Sequence, residues 1–182
     1  MNFTRLEIPE VILCEPKILS DDRGYFSETF IQDKLEKFLG FYINFCQEND
    51  SKSSFGVLRG LHYQLAPFAQ TKLVRVLQGA VLDVSVDLRK DSPTFGKHVA
   101  IELSEENKKQ ILIPKGFAHG FVVLSKEAVL TYKVDNYFCQ ASERGIAYDD
   151  KSLAIDWKLK PEDIKLSLKD ANKTLFEEAD FF

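Results

Sequence analysis

The sequence predicts a mainly β protein whose antiparallel strands close into a sandwich or barrel. Apolar and polar residues alternate in several segments, which is the pattern of a strand with one buried face. Turn-forming residues separate these segments at short intervals. The chain has 182 residues, of which 45% are hydrophobic and 12% aromatic, enough for one substantial core. It shows no linker, repeat or low-complexity segment, so we expect one domain over residues 1–182.

Residues 30–39 are the first segment with a regular pattern along the chain. Apolar side chains recur there at helical spacing, and Gly40 follows as a suitable end for a helix. Residues 161–170 mix charged residues with a few apolar ones, which predicts irregular or short helical structure. The chain is therefore expected to contain only a few short helices.

The middle of the chain is predicted to be β. In residues 81–89 the even positions from 82 to 88 are apolar and the odd positions from 83 to 89 are polar. This alternation indicates a strand with one face buried and the other exposed. Similar alternation over residues 98–103 and 128–134 predicts two more strands. Turn-forming residues separate them, at Gln78-Gly79, Asp91-Ser92-Pro93 and Pro114-Lys115-Gly116.

Charge and cysteine content exclude several classes of protein. With 28 acidic and 24 basic residues the net charge is -4, so no basic field attracts nucleic acid and a few placed cations must hold any anionic ligand. Cys14, Cys46 and Cys139 lack CxxC spacing, as expected of reduced core thiols. No apolar run could span a bilayer, and the N-terminus carries acids where a signal peptide needs apolar residues. We therefore expect a cytoplasmic protein with no membrane partner.

The three histidines can each be weighed. His98 opens an alternating segment and is expected to be an exposed polar residue without a role. His62 follows Arg59 by three residues, which would set the two side chains on opposite strand faces unless Gly60 introduces a bulge. His119 lies between glycines that let a ligand approach the backbone. From the residues alone, a hydrogen-bonded structural histidine remains the simpler interpretation of both His62 and His119.

A pair of histidines within a barrel also suits a metal ion. The ligand pattern typical of such sites is an HxH pair followed by a carboxylate. Position 64, two residues after His62, is Gln64, so the pattern is absent. We predict no metal.

One tyrosine and four basic residues are the remaining candidates for a functional role. Tyr132 is expected on the same strand face as Leu130, with its hydroxyl inside the barrel if that face is interior. The alternative is a core tyrosine bonded to a backbone carbonyl. The cations could converge on a diphosphate, although each alone is an ordinary solvated charge; they are Arg23, Arg59, Lys72 and Lys169.

Several motifs together resemble the dTDP-4-dehydrorhamnose 3,5-epimerase family. They are DDRGYFSE at 21–28, QEN at 47–49, GVLRGLHYQ at 56–64, AQTKLVR at 69–75, SPTFG at 92–96, IPKGFAHGF at 113–121 and LSLKD at 166–170. The resemblance implies a cupin-type jelly-roll barrel. It also implies an isomerase of dTDP-rhamnose biosynthesis that inverts the carbons flanking a C4 ketone. Because that ketone acidifies its neighbouring C–H bonds, we expect no cofactor, and the chain lacks a GxGxxG fingerprint.

The resemblance also assigns catalytic roles. His62 becomes the base, since an imidazole titrates near neutral pH, and Asp170 orients it. Lys72 is placed at the C4 oxygen, where its charge offsets the developing enolate. Tyr132 becomes the acid on the opposite face, because a phenol is protonated at neutral pH.

Further residues are implied in substrate binding. They are Arg23, Phe26, Glu28, Gln47, Glu48, Asn49, Arg59, His119, Phe138, Glu143 and Lys169. Phe138 stands where relatives often have a tyrosine stacked on the thymine ring, so we expect stacking to persist and base selectivity to relax. Tyr148 stands where relatives often have tryptophan, and we interpret this difference as one of packing.

The resemblance implies a homodimer in which residues near 23–28 complete the partner's nucleotide site. The leading hypothesis is 3,5-epimerisation of dTDP-4-dehydro-6-deoxy-D-glucose to dTDP-4-dehydro-L-rhamnose. One alternative is an epimerase that acts only at C3 of a related nucleotide sugar. The other is a cupin that binds a nucleotide sugar without turning it over, which would predict loss of the base, the acid or the orienting carboxylate.

Overall fold

The computed structural model describes residues 1–182 and is built mainly of strands. In chain order the strands are β1 (Asn2–Arg5), β2 (Ile12–Glu15), β3 (Ile18–Asp21), β4 (Gly24–Ser27), β5 (Gln47–Ser54), β6 (Leu58–Gln64), β7 (Lys72–Gln78), β8 (Ala80–Asp87), β9 (His98–Ser104), β10 (Gln110–Ile113), β11 (Phe117–Val123), β12 (Glu127–Val134) and β13 (Glu143–Gly145). The helices are α1 (Gln32–Leu39) and α2 (Leu168–Ala171). The predicted mainly β class with few short helices is confirmed.

Two antiparallel sheets pack face to face. The first has the strand order β1-β2-β10-β7-β12-β5 and the second has the order β13-β6-β11-β8-β9. Strands β3 and β4 form a separate two-stranded hairpin. The two large sheets share no strand, so the cupin-like barrel remains open at its edges. Neither helix has the length and apolar character needed to cross a lipid bilayer.

The main core lies between the two sheets. Val74 and Leu130 of the first sheet pack there against Val81 and Val99 of the second. The outer face of the first sheet is covered by α1, with Leu35 buried against it. The outer face of the second sheet is covered by apolar side chains of residues 148–182. Both faces of each sheet are therefore at least partly covered.

Strand β8 corrects one expectation. Its apolar positions 82, 84 and 86 pack against the C-terminal segment, as predicted for a buried face. Its polar positions Asp83, Ser85 and Asp87 are also fully buried, so the prediction of an exposed face is wrong. These residues alternate with the outward apolar set and therefore point between the sheets. The interior of this barrel is polar at one end.

The other predicted elements are confirmed, with small differences. The first helix runs from Gln32 to Leu39 and ends at Gly40, whose φ of 83° is the left-handed conformation that favours glycine. Strands β9 and β12 cover the two segments of weaker alternation. The three cysteines are free: Cys14 is buried, and the other two are half-buried. His98 is half-buried rather than exposed, and burial lowers its pKa.

Candidate active site

A cavity of about 300 Å³ lies between the two sheets and gathers all four predicted catalytic side chains. Its lining includes Ser51, Arg59, His62, Lys72, His119, Phe121, Leu130, Tyr132, Ser167, Lys169 and Asp170. Both sheets and α2 contribute, so the site depends on the tertiary fold rather than on one local segment.

A bulge in β6 places Arg59 and His62 at the same cavity. From Arg59 to His62 the strand advances three residues, while the paired positions on β11 advance two, from Phe121 to His119. Gly60 lies in this bulge with a φ of 136°, and a Cβ there would lie 2.4 Å from the Cα of Gly120. Only glycine tolerates that approach. Of the two alternatives that the sequence left open, the structure therefore has the bulge at Gly60, which places Arg59 and His62 on the same face.

His62 and Asp170 form a short hydrogen-bonded pair. The imidazole Nε2 lies 2.6 Å from Asp170 Oδ1, and the carboxylate is almost fully buried. The other carboxylate oxygen accepts a hydrogen bond from Ser167 Oγ at 2.7 Å, while Ser167 Oγ accepts the Asp170 backbone N–H. Since an ionised carboxylate only accepts hydrogen bonds, it fixes the proton of the neutral imidazole on Nε2. The Nδ1 lone pair is then free to take a proton.

The environment of His62 keeps it neutral. The pKa of His62 is lowered to about 4, mainly by burial and in smaller part by the positive charges of Lys173 and Lys72, against the opposing effect of Asp170. At neutral pH the imidazole is therefore unprotonated, as a general base must be.

Lys72 and Tyr132 reach the cavity from the first sheet. Lys72 Nζ donates to the His62 carbonyl at 3.5 Å. Burial lowers the pKa of Lys72 to about 8, opposed by the negative charges of Asp83 and Glu143, so the ammonium form predominates at pH 7. Burial raises the pKa of Tyr132, so its hydroxyl keeps its proton. The phenol lies on β12 and the imidazole on β6, in opposite sheets.

Two further cations line the cavity. Arg59 Nε donates to Ser53 Oγ at 3.0 Å, which fixes the guanidinium. Lys169 Nζ lies 2.6 Å from both carboxylate oxygens of Glu143. The cavity wall therefore carries Arg59 and Lys169, and Lys169 is paired with Glu143. The resemblance implies all three in substrate binding.

His119 has a partner that the sequence did not reveal. Its Nε2 lies 2.8 Å from Asp83 Oδ2, and both side chains are buried. His119 and His62 are directly opposite each other on β11 and β6. The sequence did contain a signal for this partner, because Asp83 is one of the polar residues that alternate along β8. The alternation alone predicted that these residues face solvent. Asp83 thus joins the site as the support of His119.

The QEN residues of β5 divide between the two faces of the first sheet. Asn49 pairs across the strands with Tyr132, so the two side chains share one face of the sheet, and Asn49 lowers the pKa of that phenol against the larger effect of burial. Gln47 Nε2 donates to Asn49 Oδ1 at 2.8 Å. Glu48 instead accepts hydrogen bonds from Thr131 and Lys133 on the outer face. A contact between Glu48 and substrate in the cavity stays a prediction.

Of the eleven predicted binding residues, only Arg59, His119 and Lys169 line the cavity of the single chain. Arg23, Phe26 and Glu28 belong to the β3–β4 hairpin and the residue after it, and Arg23 is paired with Asp21. Phe138 lies at the surface near Gln47, with its ring 57% exposed. The structure contains no group of three or more His, Cys, Asp or Glu side chains placed to hold a metal ion.

A neutral imidazole and a protonated phenol that face one cavity from opposite sheets, with an ammonium group beside them, define an acid–base enzyme of the cupin-like class. Comparison with known proteins shows which family within this class the chain belongs to. The family model described as dTDP-4-dehydrorhamnose 3,5-epimerase matches residues 5–178, and the chain belongs to that family.

Individual relatives are similar over nearly their whole length. The dTDP-4-dehydrorhamnose 3,5-epimerase of Shigella flexneri is 53% identical over 182 residues, covering 100% of this chain and 99% of the relative. The crystal structure of the enzyme from Elizabethkingia anophelis has a TM-score of 0.94 at 48% identity, covering 98% of this chain and 97% of that one. A Legionella pneumophila epimerase in complex with dTDP-4-keto-L-rhamnose has a TM-score of 0.94 at 50% identity, covering 98% and 94%.

Proposed function

We propose that this protein is an isomerase that converts dTDP-4-dehydro-6-deoxy-D-glucose to dTDP-4-dehydro-L-rhamnose by inverting C3 and C5. The observation that carries this proposal is the placement of His62 and Tyr132 in opposite sheets around one cavity. Inversion requires a proton to leave one face of the carbon and another to arrive on the other face. Two groups of the same chain supply these positions, without a cofactor in the proposed reaction.

The steps follow from the protonation states. His62 Nδ1 takes the proton from the carbon beside the C4 ketone, and the C–H electron pair moves into the enolate. The Lys72 ammonium stabilises the developing charge on the C4 oxygen. Tyr132 then donates its hydroxyl proton to the opposite face of the same carbon. The Asp170 carboxylate stabilises the imidazolium until its proton passes to solvent, after which the phenolate is reprotonated.

The remaining residues are proposed to bind the nucleotide sugar. Arg59, His119 and Lys169 suit the diphosphate and the sugar hydroxyls, since guanidinium and ammonium groups donate charge-assisted hydrogen bonds to such oxygens. Phe138 offers an exposed aromatic ring to the thymine base. Gln47, Asn49 and Glu143 are proposed to contribute polar contacts from the cavity side, and Glu48 from the outer face of the first sheet, at its edge strand.

The hairpin of β3 and β4 supports the proposal of a homodimer. Leu19, Tyr25 and Phe26 are each more than half exposed on it, and a two-stranded hairpin is only marginally stable alone in water. A second copy of the chain would cover these side chains and receive Arg23, Phe26 and Glu28 beside its own cavity. We further propose a cytoplasmic protein whose 182 residues form a single domain.

The decisive experiment is NMR of the purified protein with dTDP-4-dehydro-6-deoxy-D-glucose in deuterated water, without added metal. We expect deuterium at both C3 and C5. Exchange at C3 alone would replace the proposal with a C3-specific epimerase. Absence of exchange at both carbons, with retained nucleotide binding, would identify a non-catalytic binding protein. Sedimentation of the same sample tests the dimer, and a fully active monomer would overturn it.

A further inference from the structure

Gln64 lies on β6 two residues after His62, at a position that neither the proposed chemistry nor the core uses. Its side chain is polar and yet almost fully buried, with 5% of the residue exposed. A buried amide without partners would destabilise the fold, so its contacts indicate its role.

The amide makes three hydrogen bonds to one neighbouring region. Nε2 donates to the carbonyl of Phe68 at 2.7 Å and to the carbonyl of Tyr137 at 3.2 Å. Oε1 accepts the backbone N–H of Cys139 at 2.6 Å. Two carbonyl acceptors and one N–H donor leave a single consistent orientation for the amide.

Two of these partners immediately flank Phe138. The carbonyl of Tyr137 precedes it and the N–H of Cys139 follows it, so Gln64 binds the backbone on both sides of one exposed aromatic residue. The ring of Phe138 has little packing of its own, because more than half of its surface is exposed. Its position is therefore set mainly through its backbone.

We propose that Gln64 is a positioning residue that holds the ring of Phe138 in place to stack on the nucleobase, through the two peptide groups that flank it. This inference rests on the proposed function, in which Phe138 contacts the thymine ring. Fixing the ring before binding reduces the ordering cost on association. Position 64, where an HxH metal site would have its second histidine, thus serves substrate recognition in this barrel.

The test is a double-mutant cycle on dTDP affinity measured by calorimetry. Phe138→Ala removes the ring and is expected to weaken binding about 10-fold, the usual order for loss of one base–aromatic stack. Gln64→Leu removes all three hydrogen bonds at similar volume and is expected to weaken binding about 5-fold. In the double variant the two losses of dTDP affinity should not multiply, because Gln64 can affect stacking only while the Phe138 ring is present.

Inorganic pyrophosphate, used as a competitor of dTDP, provides the second readout. It lacks a base, so Gln64→Leu and Phe138→Ala should each change its affinity less than about 2-fold. Gln70→Ala is the matched control, since Gln70 donates to the carbonyl of Asn136 in the same segment but to neither peptide beside Phe138. It should leave dTDP affinity within about 2-fold of the parent protein.

The outcomes separate the inference from the proposed function. If Phe138→Ala does not weaken dTDP binding, the proposed stacking role fails and the inference fails with it. If Phe138→Ala weakens binding but Gln64→Leu does not, or if the two losses multiply, only the inference is overturned. Equal weakening of dTDP and pyrophosphate by Gln64→Leu would show a general distortion and also overturn it. Should Gln64→Leu not fold, Gln64→Glu keeps the acceptor for Cys139 and gives the same readouts.

Discussion

The His62–Asp170 pair and the β3–β4 hairpin supply two parts of the proposed site, and they differ in burial and in the contacts that fix them. The pair is largely buried, short and supported by Ser167 within one chain. The hairpin is exposed along both of its strands and touches none of the cavity. One chain therefore holds the chemical part by itself, and in the proposed dimer the hairpin of the other copy completes the nucleotide-binding part. The difference predicts that variants of the two regions will fail in different ways.

Removing the base should have the largest effect. His62→Ala is expected to lower kcat about 1,000-fold, because general base catalysis contributes on this order. Affinity for dTDP should change less than about 2-fold, since the imidazole faces the sugar carbons in the proposed mechanism. Deuterium exchange at C3 and C5 measures the loss. The matched control is His98→Asn, outside the cavity, which should retain parental turnover; substantial exchange by His62→Ala would remove His62 from its role.

Removing the orienting carboxylate should have the next largest effect. Asp170→Asn is expected to lower kcat about 100-fold, because an amide can hold the wrong tautomer and cannot stabilise the imidazolium. Ser167→Ala, which only loosens the carboxylate, should cost less than about 10-fold. Single-turnover rates with bound substrate provide the measurement. Equal effects of the two substitutions would contradict the proposed division of roles.

A hairpin variant should affect binding instead of chemistry. Arg23→Ala is expected to raise KM about 10-fold with kcat nearly unchanged, because a charge-assisted hydrogen bond to phosphate is lost. The melting temperature should stay the same, since the Arg23 side chain is 85% exposed. At substrate concentrations below KM, mixing Arg23→Ala with His62→Ala should raise the activity per Arg23→Ala chain through hybrid dimers, whose one complete site draws Arg23 from one chain and His62 from the other. No recovery on mixing would place the hairpin in its own chain's site.

The smallest effect concerns pH. Activity requires neutral His62 and charged Lys72, so kcat/KM should fall only as pH drops towards the His62 pKa of about 4 and as it rises through the Lys72 pKa of about 8. Between pH 7 and pH 5.5 the decrease should be less than about 2-fold, whereas an unperturbed histidine would give roughly 8-fold. A pH–rate profile of kcat/KM decides between them. An acid limb centred near 6.5 would show that burial does not control the base.

The sequence predicted those parts of the site that depend on local pattern. Alternation placed Tyr132 on the face of Leu130, and Gly60 marked the bulge that joins Arg59 to His62. The same alternation failed at Asp83, because a polar strand face predicts solvent unless the interior itself is polar. The same alternation explains the QEN motif at residues 47–49. Because successive residues of a strand point to opposite faces, Glu48 and Asn49 lie on opposite faces of the first sheet. The contacts of Gln64 join distant segments, which no local pattern encodes.

The pair that activates the base joins residues 108 positions apart. During synthesis the β6 strand is made before Asp170, so the nascent chain holds the imidazole for a time without the carboxylate that orients it. Because the two residues meet only in the folded protein, the preferred tautomer of the base depends on long-range folding and not on β6 alone. A chain truncated before Ser167 would keep β6 and its imidazole but would lose the carboxylate that fixes the proton on Nε2.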